Sequence, residues 1–417
     1  MTDDNSSPKL TASPEYLRVA VLSDLHAYDH LGDAPMPPSS LCTTDVEDQV
    51  YHHPVASLLN LIDADGLQAD ILMCCGDMGD KARPAGIKYV WDKLQIIKAK
   101  LGADLLAVTA GNHDVDSRFQ YTEYDAKGLL QSLVPPFPLD DLAQSNKYWA
   151  RNYVALTKDD YRIVILNSSA YHGHRDGEFE HGRISPKTVE ALKLELEVME
   201  RDHPKSVNIL LCHHHPHKHM DIEDDDYSTM EGAHKLLQLL ESGEYGNWIV
   251  IHGHKHHPRI CYAAGGSGAP VIFSAGSFSA TLYPDLASQG VRNQFYIIEF
   301  PLSKLAELGL GLAGTFRAWD WSKGKGWLRA SDRSGLPSIG GFGNRENVDS
   351  VATSIATYFA SRTEFWLPWE EISGALPTIK YLLPNNLELV LKRLEVRHGL
   401  KVTRDSDGFP AQIGQPV

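Results

Sequence analysis

The segment VNILLCHHH (207–215) places an apolar run directly before three consecutive histidines. The segment NWIVIHGHKH (247–256) repeats this arrangement, with His254 and His256 after its apolar run. Short apolar runs rich in β-branched residues predict buried strands. Side chains that follow such strands project into loops at the carboxyl edge of a sheet, where α/β proteins place their sites. The two segments therefore predict a sheet edge that carries clustered imidazoles.

Further runs of the same kind extend this sheet. They predict strands at 17–24, 69–77, 103–112, 161–169 and 269–277. Apolar residues at helical spacing predict helices at 54–64, 85–100, 185–202 and 230–242. Alternation of strands with helices indicates an α/β core whose sheet is buried on both faces. The later run QFYIIEF (294–300) has no helix before it, so we expect the sheet to finish with antiparallel strands.

Composition shifts along the chain predict the domain boundaries. The glycine- and serine-rich stretch 331–350 predicts a linker between a large domain, 17–330, and a small C-terminal region, 351–417. Helical patterns such as NNLELVLKRLEVRHG (385–399) predict that this region is a helical appendage. The polar residues 1–16 predict a flexible N-terminus that is not a signal peptide.

The charge balance excludes some classes of partner. The chain has 39 Lys and Arg against 54 Asp and Glu, a net charge of −15 with neutral histidine. Such a protein has no global attraction for nucleic acid or for an anionic membrane. Its apolar runs are shorter than the roughly 18 residues of a membrane-spanning helix. The five cysteines, including the adjacent Cys74 and Cys75, predict reduced thiols in a cytoplasmic protein.

Carboxylates and a histidine follow the first two predicted strands. Asp24 and His26 stand two residues apart in SDLH (23–26), and in an extended chain both side chains point to the same side. Asp77 emerges from an apolar run in CCGDMGD (74–80), where a buried carboxylate is costly unless it is paired or coordinated. Considered alone, Asp77 also fits a helix N-cap.

The third predicted strand ends in AGNHDVD (110–116). Asn112 offers an amide oxygen, His113 an imidazole, and Asp114 a hydrogen-bond partner that can orient this imidazole. Considered alone, these residues also fit an Asn/Asp-rich turn. With the histidines of the two opening segments, the set combines oxygen and nitrogen ligands without thiolate, which favours Mn, Fe, Zn, Co or Ni. Seven ligands exceed the needs of one tetrahedral ion and suit two ions that share a bridging carboxylate.

In this order, the motifs D-x-H, G-D, G-N-H-D, H-H and G-H-x-H resemble the signature of calcineurin-like metallophosphoesterases over about residues 17–300. The resemblance implies a four-layer α/β/β/α sandwich of two mixed β-sheets flanked by helices, with a dinuclear centre at the sheet edge. It implies one metal ion held by Asp24, His26 and His256, a bridging Asp77, and a second ion held by Asn112, His213 and His254. It also implies that His113 is catalytic, with Asp114 positioning it. Since three histidines stand where many relatives have two, His214 is the alternative to His213.

These motifs predict a phosphoric ester hydrolase. We expect two divalent ions, or Fe³⁺ with a divalent ion, drawn from Mn, Fe and Zn, and a metal-bound hydroxide that attacks phosphorus without a covalent phospho-enzyme. The leading prediction is a phosphodiesterase for a small or nucleotide-like ester, with no membrane partner. The alternatives are a phosphomonoesterase or protein phosphatase, a manganese-dependent nuclease and a non-catalytic scaffold. The physiological ester and the oligomeric state are not predicted.

Two further segments have a functional and a structural interpretation. The stretch FRAWDWSKGKGWLRASDR (316–333) mixes tryptophans with basic residues, as nucleic-acid-binding surfaces do. We favour a β-hairpin that turns at 323–326 with its tryptophans packed on the sheet. The acidic run EDDDY (223–227) fits a solvated loop better than a wall of the substrate site. The same holds for the extra histidines, His215, His217, His219 and His257.

Overall fold

The computed structural model describes residues 15–32, 35–47, 49–158, 160–175, 177–217, 228–331 and 334–415. Its strands are β1 (Tyr16–Leu22), β2 (Ile71–Cys74), β3 (Leu105–Val108), β4 (Tyr153–Thr157), β5 (Tyr161–Leu166), β6 (Val207–Leu211), β7 (Trp248–His252), β8 (Arg259–Tyr262), β9 (Val271–Ser274), β10 (Asn293–Pro301), β11 (Gly314–Ser322), β12 (Gly326–Arg329), β13 (Ile339–Phe342), β14 (Trp366–Pro368), β15 (Lys401–Arg404) and β16 (Pro410–Gly414). Its α-helices are α1 (Pro54–Asp65), α2 (Pro84–Leu101), α3 (Gly128–Gln131), α4 (Leu142–Arg151), α5 (Pro186–Asp202), α6 (Ala233–Glu241), α7 (Pro284–Ser288), α8 (Val348–Ala360), α9 (Trp369–Ala375) and α10 (Pro384–His398). Short 3₁₀ helices lie at Val50–His52, Glu178–Glu180 and Pro377–Tyr381.

Two large mixed sheets form the centre of the fold. The first has the order β12-β11-β10-β1-β2-β3, with β13 paired to β11. Its strands β1, β2 and β3 are parallel, whereas β10 runs antiparallel to β1, which confirms the predicted antiparallel ending. The second has the order β4-β5-β6-β7-β9-β8, and β5, β6, β7 and β9 are parallel. Within each sheet, the carboxyl ends of the parallel strands therefore lie at one edge.

Alternate residues of β6 show that the second sheet is buried on both faces. Ile209 belongs to the central core, together with Val21 and Ile297 of the first sheet. Its neighbour Leu210 points to the opposite face and packs in a second core with Leu236 of α6. Helices α1 and α2 contact the strands of the first sheet. The arrangement confirms the predicted sandwich of two mixed sheets flanked by helices.

Local sequence explains where the main helices begin and end. The hydroxyl of Ser185 accepts a hydrogen bond from the Thr188 N–H, and Pro186 occupies the first position of α5. Helix α2 ends at Gly102, whose left-handed φ of 69° suits a residue without Cβ. The predicted helices at 54–64, 85–100 and 185–202 are confirmed. The one predicted at 230–242 is shorter, because α6 begins at Ala233.

The predicted linker is not a free connection. Residues 339–342 form β13, which pairs antiparallel with β11. Asn344 then forms an isolated bridge with Leu382. A Cβ at position 341 would overlap the carbonyl oxygen of Lys380, so the glycine that suggested a loop allows close packing instead. The glycines of the predicted linker fit the chain against a sheet edge.

The C-terminal region is helical, as predicted, but it also contains a sheet. Helices α8, α9 and α10 accompany a three-stranded sheet of order β14-β16-β15. Val351, Val390 and Ile413, one from α8, one from α10 and one from β16, pack in a core of their own. The strands of this sheet were not predicted, because WLP, KVTR and PAQIG lack the buried apolar runs of the central strands. Of the predicted flexible N-terminus, residues 15 and 16 are described, and Tyr16 already belongs to β1.

The tryptophan-rich stretch forms the favoured hairpin. Strands β11 and β12 pair antiparallel around a turn at 323–325. Trp319, Trp321 and Trp327 are 3–5% exposed and belong to the central core. The tryptophans therefore offer no stacking surface to a nucleic acid, and Arg333 of this stretch lies outside the described residues.

Two expectations from composition can be compared with the structure. All five cysteines are free thiols, and each except Cys261 is buried. Burial raises the pKa of the Cys212 thiol far above its ordinary value, which keeps it protonated. Among the described residues, none of the helices combines the length and the apolar composition that crossing a bilayer requires.

Candidate metal centre

One group of predicted ligands joins the ends of β1 and β7. The Nε2 atom of His256 lies 3.4 Å from Oδ1 of Asp24, and Nε2 of His26 lies 3.9 Å from the same oxygen. Asp24 is fully buried and the two imidazoles are 5% exposed. Burial raises the pKa of the Asp24 carboxyl, but His256, His26 and His213 together lower this pKa well below its ordinary value. The group therefore presents an ionised carboxylate to two imidazoles.

A second group joins the ends of β3, β6 and β7. The Oδ1 atom of Asn112 lies 3.0 Å from Nε2 of His213 and 3.1 Å from Nδ1 of His254. On the other side of its ring, Nδ1 of His213 lies 2.8 Å from the carbonyl oxygen of Cys75. Burial lowers the pKa of His213, but the Asp77 carboxylate outweighs it and raises this pKa to about 9. The site thus favours a positive charge at His213.

Asp77 lies between the two groups. Its Oδ2 atom is 3.5 Å from Nε2 of His26 and 3.3 Å from Nε2 of His213. Its Oδ1 atom accepts the backbone N–H of His113 at 2.7 Å. Burial raises the pKa of Asp77, yet His213 and His113 lower it below its ordinary value. The seven predicted ligands therefore form one connected cluster, in which Asp77 contacts a histidine of each group.

The backbone at this site is unusual. Several of these residues have left-handed φ angles, namely Asp24 (53°), His26 (49°), Asp77 (54°), His254 (81°) and His256 (55°). Such conformations cost a non-glycine residue of order 1 kcal/mol each and cluster at functional sites. The expectation that Asp24 and His26 share an extended strand is therefore wrong. The chain turns sharply after the strands. These turns bring the side chains together, whereas the alternation of side chains along an extended strand does not.

The histidine after Asn112 contacts a carboxylate that differs from the predicted one. The Nδ1 atom of His113 lies 3.4 Å from Oδ1 of Asp80, and the backbone N–H of Lys81 lies 3.1 Å from the same nitrogen. A neutral ring accepts at Nδ1 from Lys81, whereas an imidazolium donates from Nδ1 to Asp80. Burial lowers the pKa of His113, but Asp77 and Asp80 outweigh it and raise this pKa. The surroundings therefore stabilise both protonation states of the His113 ring.

Asp114 has a structural position instead. Its carboxylate accepts backbone N–H groups of Asp77, Met78, Gly79 and Gly111, at 2.7–3.3 Å. Among the described contacts of Asp114, none reaches the His113 ring. Burial and the nearby Asp77 charge raise the pKa of Asp114 to about 7. Sequence reasoning missed Asp80, although it is the second aspartate of the CCGDMGD motif.

The consecutive histidines occupy different environments. His213 contacts Asp77 and Asn112, whereas Nδ1 of His214 lies 2.9 Å from the Ser168 hydroxyl. The Nε2 atom of His214 is buried without a hydrogen-bond partner among the described residues. Ligand atoms of His213, His214 and His254 nevertheless lie within 4.8 Å of one another. His213, rather than His214, therefore contacts both Asp77 and Asn112, and His214 lies next to it.

The extra histidines are not all solvated. His215 is fully buried, and its ring stacks on that of His254 with centroids 5.6 Å apart. His217 and His257 are half-buried. His219 and the acidic run 223–227 lie outside the described residues. Sequence reasoning also missed Tyr283, an exposed residue whose ring stacks on His256 with centroids 5.5 Å apart.

Two family models match parts of this chain, and so does the sequence of a relative. A model of the wHTH-Calcineurin_assc family matches residues 340–395. The chain is also 27% identical over 162 residues to the cAMP/cGMP dual specificity phosphodiesterase MT0825 of Mycobacterium tuberculosis (strain CDC 1551 / Oshkosh). That match covers 39% of this chain and 41% of the relative, so the aligned region spans less than half of either protein.

Solved structures show more distant likeness. A structure described as PhoD is 9% identical, with a TM-score of 0.48, and the match covers 80% of this chain and 70% of that one. Phosphopantetheinyl Hydrolase (PptH) from Mycobacterium tuberculosis is 14% identical, with a TM-score of 0.31, over 65% of this chain and 97% of that one.

The second family match, to the model for Calcineurin-like phosphoesterase, spans residues 17–269, more than half of the chain. The chain belongs to the calcineurin-like phosphoesterase family.

Proposed function

We propose that the chain is a metal-dependent phosphodiesterase that hydrolyses a small or nucleotide-like ester. The observation that carries the proposal is the position of Asp77 Oδ2, which faces an imidazole nitrogen of His26 at 3.5 Å and one of His213 at 3.3 Å. One carboxylate oxygen is thus shared by two separate groups of metal-ligating side chains. Two ions bridged by a common carboxylate need this arrangement.

The hydrogen bonds of His213 provide a test of whether a cation fits. A carbonyl oxygen only accepts, so Nδ1 donates its proton to Cys75 and Nε2 of the neutral ring carries a lone pair. Two further acceptors, Oδ1 of Asn112 and Oδ2 of Asp77, converge on this lone pair. Three acceptors that face one another are stable only around a proton or a metal cation. A carbonyl oxygen bonded to the far nitrogen of the ring is also the usual outer contact of a metal-ligating histidine.

The first group has polar atoms that suit the same role. The Nε2 atom of His26 and the Nδ1 atom of His256 are buried and lack hydrogen-bond partners among the described residues. Buried polar groups are normally satisfied, so each such exception requires an explanation. We assign one ion to Asp24, His26 and His256, the bridging position to Asp77, and a second ion to Asn112, His213 and His254. Mixed oxygen and nitrogen ligands favour Mn, Fe or Zn.

The chain's own residues position the ester and manage protons. Bound ions would neutralise the charge of the ester, lower the pKa of a coordinated water and hold phosphorus for in-line attack. His113, kept protonated by Asp77 and Asp80, donates its proton to the leaving oxygen. Asp114 fixes the loop that carries Asp77 to the loop that carries His113. Water would be the nucleophile, since a pair of bound ions would activate it.

Three observations support a small diester over a polymer. The Mycobacterium tuberculosis relative is named a cAMP/cGMP dual specificity phosphodiesterase. The chain carries a net charge of −15, which repels a polyanion, and the basic-aromatic hairpin buries its tryptophans. A long nucleic acid would therefore gain little from either feature.

Parallel assays test the proposal. Protein stripped with a chelator and reloaded with Mn²⁺ should hydrolyse bis(p-nitrophenyl) phosphate faster than p-nitrophenyl phosphate, and the stripped protein should be inactive. Metal analysis of the reloaded protein should give about two ions per chain. Faster cleavage of the monoester would identify a phosphomonoesterase instead. Absence of metal-dependent hydrolysis of either ester, with metal bound, would overturn the enzyme assignment.

A further inference from the structure

Four aromatic rings form a row across the first ligand group. The His113 and His26 ring centroids lie 4.5 Å apart, and those of His26 and His256 lie 5.2 Å apart. The row ends at Tyr283, whose centroid lies 5.5 Å from that of His256. The two inner residues are 5% exposed, whereas the side chain of His113 is 23% exposed and Tyr283 is 59% exposed. Two histidine ligands of one proposed ion therefore lie between two exposed rings.

The ring of Tyr283 is covered by His256 only in part. The two ring planes lie 19° apart, with their centroids at 5.5 Å. Rings that overlap fully lie about 3.5–4 Å apart, so these two are offset and a large part of the Tyr283 face is open. Burial of the hydroxyl end and the charges of Asp24 and Asp77 raise the pKa of Tyr283. That end of the ring therefore points toward the centre, and an ester held at the ions would lie next to it.

The chain before Tyr283 is fastened to the loop that carries two of the ligands. The Ser277 hydroxyl donates to the carbonyl oxygen of Asp24 at 2.8 Å and accepts the backbone N–H of Ala280 at 2.7 Å. Directly after Tyr283, Pro284 occupies the first position of α7. The position of the ring is therefore set before a substrate arrives, and a fixed ring loses little conformational freedom when it binds a ligand.

The fold makes little use of this side chain. Among the described residues, the Tyr283 hydroxyl has no hydrogen-bond partner, and the contact of the ring with His256 is its one aromatic contact. An exposed and fixed aromatic ring beside a phosphate site is the arrangement that base stacking requires, because every nucleobase presents a π-face. The open face therefore fits a planar ring of the substrate.

We propose that the ring of Tyr283 stacks on a nucleobase, or an equivalent planar ring, in the half of the diester that stays on phosphorus. His113 donates to the leaving oxygen at one end of the row, so the retained half lies toward Tyr283 at the other end. The inference rests on the proposed function, because it specifies the substrate of the same centre. The preferred substrate is therefore a nucleoside diester rather than an alkyl diester. Stacking of one base on an aromatic side chain changes affinity by about tenfold.

The test compares two esters that differ in one base. Thymidine 5′-(p-nitrophenyl phosphate) and its abasic analogue, which lacks only the thymine, have the same scissile bond and release the same p-nitrophenolate. The wild-type protein loaded with Mn²⁺ should show kcat/KM about tenfold higher for the nucleoside ester, mainly through a lower KM. Tyr283→Leu should reduce this preference to about twofold or less, and Tyr283→Phe should retain it. Phe365→Leu, which removes an exposed ring in the C-terminal region, should leave it unchanged.

The same variants separate stacking from other roles of the ring. Tyr283→Leu should still hold about two ions per chain by metal analysis, because the residue is not a ligand. A preference that Tyr283→Leu retains, or that Tyr283→Phe loses, would overturn the inference. An equal fall in kcat/KM for both esters in Tyr283→Leu would also overturn it, since the ring would then only support His256.

Direct binding separates failure of the inference from failure of the proposed function. Calorimetry of the Mn²⁺-loaded protein with thymidine 5′-monophosphate and with its abasic analogue measures the contribution of the base without turnover. Binding of the nucleotide about tenfold tighter than its analogue by wild type, but not by Tyr283→Leu, supports the inference even if neither ester is hydrolysed. Equal binding of the two phosphates by wild type would overturn it, while hydrolysis could stand.

Discussion

The Oδ1 atom of Asp80 lies 3.4 Å from Nδ1 of His113, and this contact links the GDMGD turn to the histidine that follows Asn112. Asp80 is 6% exposed, and its other oxygen lies 3.7 Å from Nε of Arg83. The carboxylate is therefore held from two sides. Together with Asp77, it raises the pKa of His113, which Asp114 does not contact among the described residues.

Replacement of Asp80 by Asn should reduce turnover without loss of metal. The substitution removes a charge that raises the pKa of His113, so the imidazolium loses its proton at lower pH. If the protonated ring donates to the leaving oxygen, kcat falls as pH rises through this pKa, and the alkaline limb of the profile moves to lower pH. We expect kcat to fall about tenfold or more at neutral pH. An unchanged pH profile in a metal-loaded variant would remove Asp80 from the mechanism.

Replacement of Asp77 by Ala should abolish metal binding at both positions. Its Oδ2 atom faces both ligand groups, and its loss leaves several buried imidazoles without their central carboxylate. We expect metal content to fall from about two ions to well below one, and turnover to fall by about a thousandfold or more. Metal analysis after dialysis measures the first effect. Asp104→Asn, which changes an exposed carboxylate, is the matched control. Retention of two ions by Asp77→Ala would contradict the bridging assignment.

Replacement of Asp114 by Ala should act on stability first. The substitution leaves four backbone N–H groups in the buried loops without their acceptor, those of Asp77, Met78, Gly79 and Gly111. Unsatisfied buried donors cost about 1–3 kcal/mol each before relaxation, so a loss of several kcal/mol in the free energy of unfolding is expected. Urea denaturation of chelator-treated protein measures it. A normally stable variant with impaired turnover would instead favour the catalytic role inferred from the sequence.

Substitution of the neighbouring histidines should separate their roles. His213→Gln removes the imidazole that contacts both Asp77 and Asn112, so we expect it to lower the affinity for one ion by about tenfold or more. His214→Gln leaves these contacts intact and removes a ring bonded to Ser168, so its effect on metal affinity should be smaller. Titration of the stripped proteins with Mn²⁺ measures both constants. The reverse order of effects would assign the ligand to His214.

The fold and the positions of the candidate ligands at strand ends could be predicted from the sequence because both depend on local patterns. Apolar runs of strand length fixed the central strands, and Asp24, Asp77, Asn112, His213 and His254 were identified because each follows such a run. Parallel strands of one sheet bring their carboxyl ends to one edge whatever their order, so these residues could be placed at the sheet edges without knowledge of the loops.

The tertiary structure decided every feature that depends on how loops turn or which edge is free. The left-handed backbone at Asp24 and His26 and the contact of Asp80 with His113 arise where turns are packed against one another. The strand β13 formed inside a glycine-rich stretch because β11 offered an unpaired edge. The sequence pattern determines which residues follow a strand. Which of these residues contact one another depends on how the following turns pack, because the conformation of a turn is set by residues distant in the chain.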